Sequence, residues 1–274
     1  GFNAEHTQPG HLPVRESAAG TQQEHTLGKN RDVEQMESLE GFIDQGLIDD
    51  VLGVIKSGKE ATVYCCSSSA SPGAPLVAAK VYRSLNVRSF RDDSVYRQGR
   101  TRGNQRVDRG MLLKTATGRK LRFAQWVADE YATLSILHRA GADVPAPIAC
   151  AEGVILMTYV GGDEDEPALP LAEAHPTRDE AQRVFDRLLR NIELMLGCDR
   201  VHGDLSAYNV LYHAGQFWII DFPQAVDPRF NASAQTLLER DIDRICAWAE
   251  RYGVFVDAGA IARRLWGRFL RSEL

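Results

Sequence analysis

Two neighbouring stretches decide the fold: V-H-G-D-L-S-A-Y-N-V-L at residues 201–211 and W-I-I-D-F-P at residues 218–223. They supply two carboxylates and one carboxamide, from Asp204, Asp221 and Asn209. In phosphoryl transfer, one carboxylate orients the attacking hydroxyl while a carboxylate and an amide oxygen hold Mg²⁺ on the phosphates. Mg²⁺ suits such a site because it prefers oxygen ligands and takes only one or two carboxylates. We therefore predict that Asp204 orients the hydroxyl and that Asn209 and Asp221 bind the metal.

The composition is that of an ordinary globular protein. The chain has 274 residues, of which 44% are hydrophobic and 25% charged, and its net charge is −5. This length suits one two-lobed domain or two small domains. The sequence shows no run of about 18 apolar residues and no charged-then-apolar leader, so it predicts neither a membrane span nor secretion. Five cysteines without C-x-x-C spacing indicate reduced thiols and a cytoplasmic location.

Basic residues are concentrated in the segment 83–122, which holds twelve Lys or Arg and three Asp or Glu. Such an asymmetry in an acidic chain favours a polyanionic partner, for example RNA. Residues 84–120 also lack sustained periodicity, so a surface excursion is predicted there. A solvated loop without a partner is the alternative interpretation.

The order of secondary-structure patterns predicts an α+β fold with two lobes and a cleft between them. The small β-rich N-lobe covers about 34–158 and has one main helix, and the larger helical C-lobe covers about 159–274. Residues 1–33 are polar and are predicted to be a disordered tail. The predicted strands are at 51–56, 61–66, 76–82, 210–213 and 217–220. The predicted helices are a short one from Ser38 to near Gly46, then 123–139, about 177–196, and two more at the end.

Lys80 lies in the apolar strand V-A-A-K-V-Y, where an unpaired ammonium would be costly to desolvate. Glu130, on the helix predicted at 123–139, is the candidate partner. A lysine at a strand edge that extends into solvent is the alternative. The turn S-G-K-E-A at residues 57–61 could cover phosphates with its backbone N–H groups. Taken alone, this turn is better explained as an ordinary surface turn, and only the downstream motifs favour a phosphate-binding role.

Together these motifs resemble the RIO family of atypical protein kinases, in the subfamily without an N-terminal winged helix. The resemblance spans about residues 40–250 and rests on five stretches. They are S-G-K-E-A-T-V-Y, V-A-A-K-V-Y, D-E-Y around Glu130, H-G-D-L-S-A-Y-N and I-D-F-P-Q-A-V-D. The implied fold is protein-kinase-like. It has no extended activation segment, because helical sequence resumes soon after Asp227.

The resemblance implies ATP and Mg²⁺ as cofactors, with Mn²⁺ as an alternative ion. It assigns Asp204, Lys80 and Asp221 to catalysis, and Asn209 and Asp221 to the metal. Asp221 is also implied to be a transient phosphate acceptor. The implied nucleotide-binding residues are Ser57, Gly58, Lys59, Glu60, Ala61, Lys80, Glu130, Met157 and Tyr159. The hinge would be Met157 to Val160.

The leading hypothesis is an ATP- and Mg²⁺-dependent serine/threonine protein kinase that phosphorylates itself and also hydrolyses ATP. One alternative is a nucleotide-gated factor for ribosome assembly with little kinase activity on other proteins. Its partner would be RNA or a ribosomal particle, bound through segment 83–122. Another is a small-molecule phosphotransferase of the aminoglycoside or choline kinase type, which shares H-G-D-x-x-x-x-N. The sequence does not identify the protein substrate.

Overall fold

The computed structural model describes residues 35–70, 75–83, 116–151 and 153–274. Ser38–Leu274 forms one compact unit. Its described part has an antiparallel sheet first and a helical region after it, which confirms the predicted α+β, two-lobed arrangement. The predicted tail at 1–33 and residues 84–115 of the basic segment lie outside the described ranges.

The N-lobe contains a five-stranded antiparallel sheet in the order β1-β2-β3-β5-β4. Its strands are β1 (Asp50–Ser57), β2 (Ala61–Ser67), β3 (Leu76–Tyr82), β4 (Pro147–Ala151) and β5 (Val154–Thr158). The first three confirm the predicted strands and their antiparallel meander. The apolar runs I-A-C-A and V-I-L-M-T supply the last two.

The two faces of this sheet differ in what they pack against. One face packs on α1, the helical residues 38–44. The residues buried between them include Val77, Ala79, Val81, Leu39 and Phe42. Because successive strand residues point to opposite faces, Lys80 points the other way. It faces a cleft between the lobes.

Helix α2 (Ala116–Arg139) is longer than the sequence indicated. It begins seven residues before the predicted start at Phe123, so the prediction of a surface excursion is wrong for residues 116–120. Its first two turns lack the apolar spacing that marked the rest of the helix. They contain the good helix formers Arg119, Lys120 and Leu121 but also Thr117 and Gly118, so neither apolar spacing nor propensity marked this start in the sequence.

The C-lobe is built from α3 (Arg178–Gly197), α4 (Ala234–Glu250) and α5 (Ala258–Leu270), as the sequence predicts. A capping box starts α3, since Thr177 and Glu180 each bond to the other's backbone N–H. A small sheet adds β6 (Leu169–Pro170), β7 (Val210–His213) and β8 (Gln216–Ile219). None of the helices in the described ranges combines the length and apolar character needed to cross a membrane.

The hairpin of β7 and β8 brings two predicted metal ligands together. Ala214 and Gly215 have φ values of 48° and 79°, as a two-residue hairpin turn requires. At the open end of the hairpin, the Ile220 N–H donates to the Asn209 carbonyl over 2.9 Å. Asp221 follows directly, so Asn209 and Asp221 lie side by side. Residues 222–233 then lead straight to α4, without an extended segment.

Candidate active site

A cavity of about 430 Å³ lies between the lobes. This volume is typical of small-molecule sites. Nine of the predicted site residues line it: Gly58, Lys59, Glu60, Ala61, Lys80, Glu130, Met157, Tyr159 and Asp221. Apolar side chains such as Ile155 and Leu211 complete the wall, so the cavity offers a flat apolar slot beside a charged end.

Lys80 joins the two lobes at the charged end. Its Nζ lies 2.8 Å from Glu130 Oε1 and 2.6 Å from Asp221 Oδ1. Glu130 comes from α2 and Asp221 from the segment after β8, so three separate elements meet at one ammonium. The side chains of Lys80 and Glu130 are 11% and 5% exposed, whereas that of Asp221 is 42% exposed and faces the cavity.

The charges of this triad depend on one another. Burial opposes ionisation of Lys80, but the carboxylates of Asp221 and Glu130 outweigh it and raise the lysine pKa. Burial also disfavours the Asp221 carboxylate, yet the Lys80 ammonium lowers the pKa of Asp221 below its ordinary value. For Glu130 burial is the stronger effect, and its pKa is raised. Lys80 and Asp221 are therefore charged at neutral pH.

Glu130 makes a second interaction besides its ion pair with Lys80. Its Oε1 also accepts a hydrogen bond of 3.2 Å from the Phe222 N–H, which fixes the backbone next to Asp221. Its Oε2 is buried and has no hydrogen-bond partner among the described residues. A buried acceptor without a donor is costly.

Asp204 and Asn209 lie outside the lining of the cavity, on the loop between α3 and β7. The Asn209 Nδ2 donates to the Asp204 carbonyl over 2.9 Å, which leaves the Asn209 Oδ1 to serve a cation. The Asp204 side chain is 48% exposed, and its Oδ1 accepts from Arg244 Nη1 at 2.7 Å. The carboxylate is thus accessible and held in one orientation.

His202 ties this loop to the strand before Asp221. Its Nδ1 accepts from the Asp204 N–H at 3.3 Å, so the proton sits on Nε2, which donates to the Ile220 carbonyl at 3.1 Å. The imidazole therefore couples the backbone of Asp204 to that of Asp221.

Asp241 was not identified from the sequence, although it supports the same loop. It is 2% exposed on α4 and accepts from the Gly203 and Leu205 N–H groups, at 2.8 and 2.9 Å. Burial raises its pKa, and these two donors partly offset the effect. A signal was present: Asp241 stands one helical turn from both Leu237 and Ile245, so a charged residue lies within the apolar, buried face of α4.

Asp221 has a φ of 72°, in the left-handed region. Among non-glycine residues, Asp and Asn adopt this conformation most readily. The carboxylate is therefore directed by the backbone as well as by its partners.

The turn at 57–61 is held from outside by a residue that the sequence did not single out. Arg83, which directly follows β3, donates from Nη2 to Ser57 Oγ over 2.8 Å, and its N–H donates to the Glu60 carbonyl over 2.9 Å. Ser57 was predicted to bind nucleotide, but the structure does not bring it to the cavity wall. Its hydroxyl accepts from Arg83 and so anchors the base of the turn.

The predicted hinge is fastened to the loop before β4. The Thr158 N–H donates to the Ala146 carbonyl, and the Ala146 N–H donates to Thr158 Oγ1, each over 2.9 Å. The Thr158 N–H is therefore not available to adenine. Met157 and Tyr159 line the cavity on either side of it.

The protein donors for a metal are few. No group of three or more His, Cys, Asp or Glu side chains in the described ranges is arranged to hold a metal ion. The candidate donors are the Asn209 amide oxygen and the Asp221 carboxylate. Such a small oxygen set fits Mg²⁺ that is also bound by phosphates and water.

Comparison with known proteins gives a consistent set of similarities. A family model described as the RIO domain matches residues 62–260. The chain is 33% identical over 225 residues to the RIO-type serine/threonine-protein kinase Rio1 of Haloferax volcanii, covering 80% of this chain and 70% of that protein. It is 31% identical over 225 residues to the serine/threonine-protein kinase RIO1 of Chaetomium thermophilum, covering 78% of this chain and 42% of that protein.

Solved structures show the same similarity at the level of the fold. The Rio2 kinase of Chaetomium thermophilum, crystallised as an ADP/Mg²⁺-phosphoaspartate complex, superposes with a TM-score of 0.58 at 21% identity. The match covers 86% of this chain and 72% of that one. It confirms the predicted kinase-like fold. The chain spans less than half the length of the Chaetomium RIO1 relative.

Replacing Asp241 by Asn should loosen the loop that carries Asp204. An amide has one acceptor oxygen, so either the Gly203 or the Leu205 N–H would lose its partner. We expect a loss of about 1 to 3 kcal/mol in the free energy of unfolding, measured by urea denaturation. Amide hydrogen exchange at Gly203 and Leu205 should also become faster. Asp243→Asn, at an exposed position of the same helix, is the matched control, and equal losses in both variants would contradict the assignment.

The pairing of Asp221 with Lys80 predicts a pH-dependent contribution to stability. Because the folded-state pKa of Asp221 is lowered from 3.8, the ionised carboxylate stabilises the fold above that value. The contribution is lost as the pH falls through the folded-state pKa. Asp221→Asn keeps a residue that accepts the left-handed backbone.

At neutral pH, we expect the free energy of unfolding of the wild type to be about 1 kcal/mol larger than that of Asp221→Asn. The difference is small because solvent screens the half-exposed carboxylate. The difference should shrink below pH 4 in urea titrations. A difference that grows on acidification would contradict the ion pair.

Proposed function

This chain belongs to the RIO domain family, and from that premise we propose that it is an ATP- and Mg²⁺-dependent serine/threonine protein kinase. Autophosphorylation and slow ATP hydrolysis are part of the proposal. Family membership favours this function over the small-molecule phosphotransferase that also fits H-G-D-x-x-x-x-N.

One observation carries the proposal: Lys80 bridges Glu130 and Asp221 at the charged end of the cavity between the lobes. In kinase-type sites a lysine paired with a glutamate reaches the α- and β-phosphates of ATP. The pairing with Glu130 keeps Lys80 charged and directed into the cleft. Met157 and Tyr159 border the apolar slot that suits an adenine ring.

The other residues of the site have separate roles in the reaction. Asn209 and Asp221 would hold Mg²⁺, which neutralises charge on the phosphates. Asp204 accepts a hydrogen bond from the acceptor hydroxyl and takes its proton as the oxygen attacks the γ-phosphorus and ADP leaves. In the hydrolytic branch, an Asp221 carboxylate oxygen attacks the γ-phosphorus as ADP leaves, and water then hydrolyses the acyl phosphate to inorganic phosphate and the free carboxylate. Lys80 and the turn at 57–61 position the nucleotide.

We also propose the cytoplasm as the location and an RNA or a ribosomal particle as a partner through segment 83–122. The five cysteines are all free thiols in the structure. Burial raises the pKa of the Cys66 thiol to about 12, so this thiol stays protonated and unreactive. The partner proposal rests on the charge of the segment, most of which lies outside the described residues.

Asp204→Ala and Lys80→Ala should each abolish transfer of labelled γ-phosphate from ATP. Removing a positioned acid-base group typically lowers the rate by about 10²- to 10⁴-fold, and removing Lys80 leaves Glu130 buried without its cation. Asp243→Ala and Lys120→Ala, at exposed positions, are matched controls that should keep wild-type turnover. Circular dichroism checks that the variants fold. Undiminished transfer in both site variants would refute the proposed function.

A second candidate function is a nucleotide-gated assembly factor, and the short connection between Asp221 and α4 favours it. Residues 222–233 include a β-bridge between Val201 and Val226 and offer no extended surface for a peptide substrate. We expect the full chain to sediment with small ribosomal subunits in a manner that differs between ATP and ADP. Asp221→Asn should remove the difference. Identical sedimentation with either nucleotide would exclude this candidate.

A further inference from the structure

The guanidinium of Arg244 contacts the carboxylate of Asp204, the group proposed above to receive the acceptor hydroxyl. Its Nη1 contacts Asp204 Oδ1 at 2.7 Å. Neither residue lines the cavity that would receive the nucleotide. The positive charge of Arg244 is therefore outside the cavity and separate from that of Lys80, which lines it.

Arg244 is held in place by the same helix that supports the loop. Asp241 binds the Gly203 and Leu205 N–H groups, and Arg240 donates to the Gly203 carbonyl. Arg244 is one helical turn beyond Arg240. Because one face of α4 is buried, Arg240, Asp241 and Arg244 are held next to the loop. Helix α4 therefore fixes the backbone of Arg244 next to the loop that carries Asp204.

The contact with Asp204 leaves most of the guanidinium unused. An arginine has five N–H donors, and within the described residues Arg244 makes this one hydrogen bond. The side chains of Arg244 and Asp204 are 40% and 48% exposed, and exposed ion pairs of this kind contribute little to stability. An arginine with free donors on an accessible surface is suited to bind a carboxylate or a phosphate through paired hydrogen bonds.

We propose that Arg244 is a binding residue for the acceptor and selects a Ser or Thr that is flanked by acidic side chains. The carboxylate next to the acceptor hydroxyl binds the free donors of Arg244, and the hydroxyl then faces Asp204 Oδ2. The short connection at 222–233 leaves α4 and the loop as the surfaces that can contact a peptide. This inference rests on the proposed function, because it takes Asp204 as the group that receives the hydroxyl.

Binding of three matched peptides tests the proposal without any need for catalysis. Each is a short fluorescein-labelled peptide with Ala at the acceptor position, flanked by Asp, by Asn or by Lys. We expect the wild type to bind the Asp-flanked peptide roughly fivefold more tightly than the Asn-flanked one, by fluorescence anisotropy at low salt. Arg244→Ala should remove the preference, Arg244→Lys should keep part of it, and Arg244→Glu should reverse it towards the Lys-flanked peptide.

The control is Arg263→Ala, which removes an exposed arginine from α5 and should leave the preference intact. Equal affinity of the wild type for all three peptides, or no binding of any, would overturn the proposal. So would a preference for Asp that survives Arg244→Glu. Transfer of labelled phosphate from ATP is measured in the same preparations. Absence of transfer together with a preserved peptide preference would count against the kinase function alone and leave Arg244 as a binding residue for acidic peptides.

Discussion

An ammonium buried between two lobes is the constraint on which the site depends. Lys80 could not remain charged on a sheet face without anions, and its two partners come from opposite sides of the cleft. The triad therefore has a structural consequence beyond electrostatics, because it links β3, α2 and the segment after β8. If α2 moved away from the sheet, Glu130 would be left buried without its counter-charge and Lys80 would keep only Asp221, and breaking a buried pair is costly.

Helix α4 is a second anchor of the site, on the side where we propose that the phosphoryl acceptor binds. Asp241 holds the loop backbone, while Arg244 holds the Asp204 carboxylate. The nucleotide side and the acceptor side of the site are therefore anchored by different elements. His202 connects them, since it bonds to the backbone at both Asp204 and Ile220.

Much of this arrangement follows from sequence patterns. Period-2 alternation located β1 to β3, and H-G-D-x-x-x-x-N with I-I-D placed Asp204, Asn209 and Asp221 on a loop and a hairpin. The start of α2 escaped prediction because its first turns carry no apolar stripe. Asp241 and Arg83 escaped because their roles come from tertiary contacts, one to a loop about 40 residues away in sequence and one across the turn at 57–61. A charged residue in a buried stripe was the available signal for Asp241.

The segment after β8 is immobilised at several points. Phe222 is 2% exposed, its N–H is bound to Glu130, and its ring lies 4.9 Å from that of His202, centroid to centroid. Pro223 then restricts φ. An inactive state made by rotating Asp221 and Phe222 outward would break all of these contacts at once. An inhibitor that displaces this phenylalanine would have to break its hydrogen bond to Glu130 and its packing on His202, so compounds that leave Phe222 in place and bind the cavity should be favoured.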